Sequence, residues 1–228
     1  LGLGANRTFT IGDSTAATND LSISAIISGA TFGITKSGTG TLALSGANTY
    51  TGTTTISQGT LQLDANTPSG SAGTLGNASS AVTINDASTG SNDTALLIGA
   101  SGVSVGRDIT VANSGSGTTS IGGSISSGTG TFTGGLALDK SASLTADGTS
   151  NITFSTGVIS GTGGITKTGT GTVTLSGINT YQGATNVTAG IVSVQSNSGL
   201  GAVTTGADGT FVTSGAELQL SGNITIGG

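Results

Sequence analysis

The stretch that decides the fold of this chain occurs twice. It reads ITKSGTGTLALSGANTYTGTTTISQGTLQL from Ile34 to Leu63 and ITKTGTGTVTLSGINTYQGATNVTAGIVSV from Ile165 to Val194. About half of the aligned positions are identical, and most of the others exchange one small polar residue or one aliphatic residue for another. One structural unit has therefore been copied, and we expect a repeat protein.

Shorter landmarks divide the chain into two units of unequal length, approximately residues 6–111 and 112–226. The interval from Ile11 to Ile34 is much shorter than the equivalent interval from Val111 to Ile165. A globular core rarely tolerates such an insertion, but a solenoid absorbs it as added coils because each coil contacts only its neighbours. We therefore expect residues 1–228 to form a single continuous solenoid.

The local pattern is β throughout. Runs such as Thr41–Leu44 and Thr172–Leu175 alternate between polar and aliphatic residues, so one face of each strand points inward. The 43 glycines supply turns, and the hydrophobic fraction of 33% with a mean hydropathy of +0.23 argues against disorder. Aromatic residues make up 3% of the chain, which suits a thin core. The sequence predicts an all-β fold, a parallel β-helix (β-solenoid) of about nine to eleven coils stacked at ~4.8 Å.

The repeated phrase also resembles a known family. The spacing of Gly, Asn, Tyr and Gly in Gly38–Gly52 and Gly169–Gly183 is similar to the autotransporter-associated β-strand repeat of bacterial autotransporters and large surface adhesins. The resemblance implies a right-handed β-helix located outside the cell or on the bacterial cell surface. The residues that carry this structural motif are Gly38, Gly40, Leu42, Leu44, Asn48, Tyr50, Gly52, Gly169, Gly171, Val173, Leu175, Asn179, Tyr181 and Gly183.

The composition excludes several classes of function. The chain has no His and no Cys, so it lacks the usual general base, the thiolate nucleophile and the ligands of zinc and haem sites. The five basic residues are scattered and the net charge is −5, which argues against a nucleic-acid partner. No apolar run is long enough to span a membrane as a helix. We expect no cofactor, no catalytic residue and no enzymatic activity.

Carboxylates are the remaining chemical groups. Polysaccharide-cleaving β-helices need paired acids, but the acids here mostly adjoin Gly, Asn, Ser or Thr, as turn residues do. The opposite charges of Arg107-Asp108 and of Asp139-Lys140 are adjacent in sequence and so face opposite sides of a strand. The loop 85–93 gathers oxygen ligands for calcium, yet lacks the order of acids found in known calcium loops. We interpret this loop as a solvated turn and predict no metal site.

The tyrosines of the repeat allow two interpretations. Tyr50 and Tyr181 could be exposed platforms for sugar rings, because aromatic residues often bind sugars in this way. Alternatively, Asn48 and Asn179 turn the chain by bonding to neighbouring backbone, and each tyrosine covers the edge of a coil. We favour the structural interpretation, because both copies keep Asn-Thr-Tyr in the same turn context.

Both ends of the chain, residues 1–11 and 218–226, are strand-like, and neither resembles a polar cap. We expect a fragment of a longer stalk or a fibre subunit that associates end to end. The function predicted is a noncatalytic extracellular structural protein, a rigid stalk, adhesin passenger segment or fibre building block, with host or matrix glycans and proteins as partners. The alternative is a carbohydrate-binding or polysaccharide-cleaving β-helix.

Overall fold

The computed structural model describes residues 1–202 and 209–225. These residues form short strands joined by turns, without any helix, so the all-β prediction is confirmed. The described chain accordingly offers no helix long and apolar enough to cross a membrane. The strands in chain order are Arg7–Thr10 (β1), Leu21–Ile23 (β2), Ile34–Ser37 (β3), Thr41–Leu44 (β4), Thr54–Ile56 (β5), Gly59–Leu63 (β6), Val82–Ile84 (β7), Thr94–Ile98 (β8), Ser104–Val105 (β9), Ile109–Val111 (β10), Thr119–Gly123 (β11), Ser127–Phe132 (β12), Leu136–Leu138 (β13), Ala142–Thr145 (β14), Thr149–Phe154 (β15), Ile159–Ser160 (β16), Ile165–Thr168 (β17), Thr172–Leu175 (β18), Thr185–Val187 (β19), Ile191–Val194 (β20), Thr210–Val212 (β21) and Glu217–Leu220 (β22).

Three parallel sheets form the sides of the solenoid. Sheet I has seven strands in the order β1-β3-β5-β7-β10-β13-β16, and sheet II has nine in the order β2-β4-β6-β8-β11-β14-β17-β19-β21. Sheet III has six, in the order β9-β12-β15-β18-β20-β22. Sheet II contributes one strand to each coil, so the described residues wind through nine coils. The predicted parallel β-solenoid is confirmed, at the lower end of the expected number of coils, and nine coils correspond to a length of roughly 40 Å.

The third side of the early coils consists of turns instead of strands. Residues 45–53 lie on the preceding coil, where the amide of Thr49 donates to the Ile27 carbonyl oxygen and that of Gly52 donates to the Phe32 carbonyl oxygen. Sheet III begins one coil after residues 64–81, at β9. The backbone hydrogen bonds between coils therefore continue where regular strands are absent, as buried peptide groups require.

The core is a thin stack of aliphatic ladders. In sheet II, the inward positions of successive strands pair in register, for example Leu42 with Leu61 and Leu61 with Leu96, and all three side chains are fully buried. In sheet III, Phe132 and Phe154 stack with ring centroids 4.9 Å apart. The predicted inward orientation of Leu44 and Leu175 is confirmed, because both are fully buried.

The two copies of the repeat lie on different sides of the solenoid. The first copy, residues 34–63, alternates between sheets I and II, through β3, β4, β5 and β6. The second copy, residues 165–194, alternates between sheets II and III, through β17, β18, β19 and β20. The second copy is thus displaced along the solenoid by five coils and by one further side.

Candidate functional site

The Asn of the first copy connects three coils. Asn48 is buried, and its Oδ1 accepts a hydrogen bond of 2.7 Å from the Ile27 amide in the preceding coil. Its Nδ2 donates to the Thr74 carbonyl oxygen at 2.8 Å, in the following coil, and its backbone amide donates to the Gly73 carbonyl oxygen at 3.0 Å. The side-chain amide therefore replaces the strand pairing that this side of the coil lacks.

The second copy repeats these contacts on another side of the solenoid. The Oδ1 of Asn179 accepts from the Ile159 amide at 3.0 Å, and its Nδ2 donates to the Gly199 carbonyl oxygen at 2.8 Å. Its backbone amide donates to the Ser198 carbonyl oxygen at 3.1 Å. The hydrogen bonds of the Asn are thus a property of the repeat and do not depend on which side it occupies.

The tyrosines of both copies lie inside the solenoid. Tyr50 and Tyr181 have no exposed surface, and their hydroxyl groups bond to the Oγ1 of Thr54 at 2.7 Å and of Thr185 at 2.6 Å. Burial raises the pKa of each tyrosine to about 12. The expectation that each tyrosine covers the edge of a coil is wrong, because the ring fills the interior behind the Asn turn. A buried ring also offers no surface for stacking on a sugar.

A glycine from the following coil packs against each tyrosine. Gly76 has a φ of 75° and Gly201 a φ of 83°, in the left-handed region that favours glycine. A Cβ at Gly76 would lie 2.4 Å from the carbonyl oxygen of Tyr50 and 2.8 Å from its ring, and a Cβ at Gly201 would lie 2.5 Å from the carbonyl oxygen of Tyr181. The structural unit thus extends beyond the repeated phrase, to a glycine that closes over the ring.

A lysine in each copy binds the turns of two adjacent coils. In the first copy the Nζ of Lys36 donates to the carbonyl oxygens of Ser37 at 2.9 Å, Gly38 at 2.7 Å and Gln58 at 3.0 Å. Burial lowers the pKa of Lys36 to about 8, against the attraction of the Asp20 carboxylate. The stem of Lys36 occupies an inward position, paired with Ile56 of the next coil.

The lysine of the second copy makes the same three contacts. The Nζ of Lys167 donates to the carbonyl oxygens of Thr168 and Gly169, both at 2.7 Å, and of Ala189 at 3.1 Å. Burial lowers its pKa to about 8, and the Asp147 carboxylate opposes this effect. The scattered positions of the basic residues in the sequence do not reveal this role. The sequence does indicate the inward position of the lysine, because side chains alternate along a β-strand and Ile-Thr-Lys places the lysine on the same face as the isoleucine.

The remaining motif residues occupy matched places. Gly38 and Gly169 have φ values of 76° and 75° and form the turn that each lysine binds. The aliphatic pairs of the motif point inward and are fully buried, and the other glycines lie where adjacent coils approach too closely for a Cβ. The aliphatic residues are Leu42, Leu44, Val173 and Leu175, and these glycines are Gly40, Gly52, Gly171 and Gly183.

Two other basic residues also bind backbone carbonyl groups. The buried Arg107 donates from Nη1 to the Leu75 carbonyl oxygen at 2.8 Å and from Nε to the Ser80 carbonyl oxygen at 3.0 Å. Lys140 donates to the Gly115 carbonyl oxygen at 2.7 Å. These cations stabilise turns of the solenoid, and Arg107 holds the segment that closes over Tyr50.

Oxygen atoms of the loop 85–93 accept hydrogen bonds from other groups of the protein. Asp86 accepts from the Thr89 hydroxyl at 3.2 Å, and Asn92 accepts from the Gln58 side chain at 3.1 Å. Asp93 accepts from both the amide and the hydroxyl of Thr118 at 2.7 Å. Across residues 1–202 and 209–225, no three acidic side chains gather as a metal site would require.

Hydrogen bonds from turns lower the pKa of two acids, one of them in this loop. Asp20 accepts from the amides of Thr41 and Ser14, which lower its pKa, and the two groups of Thr118 lower the pKa of Asp93. A general acid in glycoside hydrolysis needs a raised pKa, so these two carboxylates are shifted in the opposite direction. Asp208, also among the acids of the sequence, lies outside the described residues, as does Ile226 at the end of the strand-like segment 218–226.

The described chain is a parallel β-solenoid with two matching repeat copies, in which the Asn and Lys side chains bind backbone groups of adjacent coils. The family model described as the passenger-associated-transport-repeat matches residues 34–63 and 165–194, so the chain contains two copies of this repeat and the resemblance noted above is confirmed. Searches of curated proteins and of solved structures return no match. The repeats and the solenoid fold fit a passenger segment of an autotransporter, and the family suggests an extracellular or cell-surface location.

Proposed function

We propose that this chain is a noncatalytic extracellular structural protein, a rigid segment of a stalk or adhesin passenger, or a building block of a fibre. The observation that supports it most is the use of the repeated polar side chains. Asn48, Tyr50 and Lys36, with their counterparts in the second copy, are buried and bind other parts of the solenoid. A motif repeated for recognition would present such groups to solvent.

End-to-end association is the fibre form of this proposal. The first coil exposes Leu1 and Ile26, and the last described coil exposes Val212 and Leu220, each with more than two fifths of its surface accessible. Aliphatic side chains and outermost strands at both ends of the described coils favour stacking on a further coil. Separate chains stacked in this way would form an unbranched filament.

Electron microscopy of the purified chain tests the proposal. We expect rods of constant width, either discrete and roughly 40 Å long or joined into filaments. Discrete rods would identify a stalk segment, and filaments would identify a fibre subunit. Particles of irregular shape, without a rod axis, would contradict both forms.

The cleaving alternative has its own assay. The chain is incubated with a panel of polysaccharides, and new reducing ends are measured. We expect no increase over a heat-unfolded control. An increase that disappears when Asp86 and Asp93 are both changed to Asn would establish a hydrolytic site and overturn the noncatalytic assignment.

A further inference from the structure

The outer face of sheet II carries a continuous column of side chains. The column pairs Thr60 with Ala95, Ala95 with Ser120, and so on through successive coils. At roughly 4.8 Å for each coil, its seven steps extend about 34 Å along the solenoid. Its members are Thr41, Thr60, Ala95, Ser120, Ser143, Thr166, Asn186 and Phe211.

Two adjoining surface grooves follow this column. The first, of about 510 Å³, includes Thr60 and Ser120 and has the Asp93 carboxylate at its rim. The second, of about 220 Å³, continues along Ser143 and has Lys140 at its rim. Thr118 lines both grooves, which therefore adjoin at the corner between sheets I and II and cover the column from Thr60 to Thr166.

The column ends at an exposed aromatic ring. Phe211 is 58% exposed and pairs in register with Asn186. The other aromatic side chains of the chain are buried or partly buried, including both tyrosines. The ring is in line with the hydroxyl groups of Thr60, Ser120, Ser143 and Thr166, called here the hydroxyl row, and lies next to the side-chain amide of Asn186. The end of the column thus offers an apolar platform beside hydrogen-bonding groups.

This combination selects a class of ligand. A protein partner would favour large apolar and aromatic anchors at the centre of the interface, whereas the grooves are lined mainly by Ser, Thr, Asn, Gln, Ala and Gly. A nucleic acid would require several cations, and Lys140 is engaged by the Gly115 carbonyl oxygen. A flexible chain with many hydroxyl groups and apolar ring faces meets both the hydroxyl row and Phe211.

We propose that the outer column of sheet II binds an extended neutral polysaccharide, with Phe211 stacking on a sugar ring and the hydroxyl row bonding along the polymer, partly through water. The proposal adds a ligand class to the extracellular role proposed above and rests on that role. Each hydrogen bond to the polymer replaces one to water and contributes little by itself. We therefore expect the affinity to increase with the number of sugar units that contact the column.

Co-sedimentation with insoluble cellulose, chitin and starch tests this site. We expect saturable binding to at least one of them, reduced at least tenfold by Phe211→Ala and by Ser120→Leu. Matched controls are Ile178→Ala, which removes an aliphatic side chain that is 69% exposed, and Thr153→Leu, which makes the same polar-to-apolar change on the outer face of sheet III. Both controls should keep the binding of the parent.

Three outcomes would overturn the proposal. They are no saturable binding to any of the three polysaccharides, binding that persists in both column variants, and equal loss in the variants and their controls. Rod dimensions are measured on the same preparations, so intact rods without binding would reject the polysaccharide site and leave the structural role standing. Circular dichroism of each variant establishes that the solenoid is folded.

Discussion

The two copies of the repeat make the same contacts on different sides of the solenoid. In the first copy the Asn turn lies on the side where sheet III later begins, and in the second it lies directly on β16, the last strand of sheet I. Nevertheless the Asn bridges, the buried tyrosine, the closing glycine and the lysine contacts agree between the copies. The repeat therefore specifies its own two coils and the closing segment, and the two sides on which its Asn turn lies are equivalent for it.

The largest expected effect comes from placing a charge inside either copy. Leu44→Asp and Leu175→Asp each bury a carboxylate without a partner, and we expect each to reduce the free energy of unfolding by at least ~4 kcal/mol. Thermal unfolding followed by circular dichroism measures the loss. A variant as stable as the parent would show that its copy is not packed as described.

The tyrosines give the next largest effect and compare the copies directly. Tyr50→Ala and Tyr181→Ala each leave a cavity behind the Asn turn, with an expected cost of roughly 3–5 kcal/mol. Tyr50→Phe and Tyr181→Phe remove one hydrogen bond each and should cost about 1 kcal/mol. Urea unfolding measures all four. Costs that differ strongly between matched positions would refute the equivalence of the copies.

Removal of the Asn bridges should have an intermediate effect. Asn48→Ala and Asn179→Ala each lose two side-chain hydrogen bonds and leave buried backbone groups without partners, so we expect a loss of roughly 2–3 kcal/mol. Hydrogen exchange should quicken at the Ile27 amide in the first variant and at the Ile159 amide in the second. Protection unchanged at both amides would contradict the bridging role.

Ionisation of the buried lysines and tyrosines has the smallest effect on stability near neutral pH, because these groups titrate at about pH 8 or above. The pKa of Lys36 and Lys167 is about 8 in the folded chain, below the ordinary 10.5, so the unfolded chain binds more protons between these values and stability rises with pH. The pKa of the tyrosines is about 12, above the ordinary 10, so stability falls from pH 10 to 12. We expect a maximum of stability near pH 10.

Denaturant unfolding at a series of alkaline pH values locates this maximum. The chain has two tyrosines and no Trp, so phenolate absorbance reports on Tyr50 and Tyr181 alone. In the Tyr50→Phe, Tyr181→Phe double variant the fall above pH 10 should largely disappear. Ordinary titration of phenolate near pH 10 in the folded chain would show that the rings are open to solvent.

The fold was predictable from the sequence because its signals are local and repeated. Alternation in runs such as Thr172–Leu175 identifies the inward face, and glycine marks the turns. The inward position of Lys36 follows from the same period, but the three carbonyl groups that it binds belong to turns whose geometry only the folded chain defines. Leu75-Gly76 recurs as Leu200-Gly201 after the second copy, so this pair is visible in the sequence. The contact of Gly76 with Tyr50, however, depends on how one coil stacks on the next.

The burial of the two tyrosines could not be predicted from the sequence alone. An aromatic residue in a Gly-rich turn is equally compatible with exposure and burial, because no apolar periodicity surrounds it. The position of Phe211 in the column of sheet II is also set by register, accumulated over several coils of unequal length. Pairing across such distances is not encoded in any short segment.

The displacement of the second copy by one side has a consequence for how such chains evolve. If coils could be added only in whole turns, every copied segment would return to the same side as its parent. Here the second copy is offset from the first by five coils plus a single strand and corner, and an increment of one strand and corner rotates everything downstream about the long axis. Insertions of this size would allow selection to reorient a distal surface relative to a proximal one without altering either.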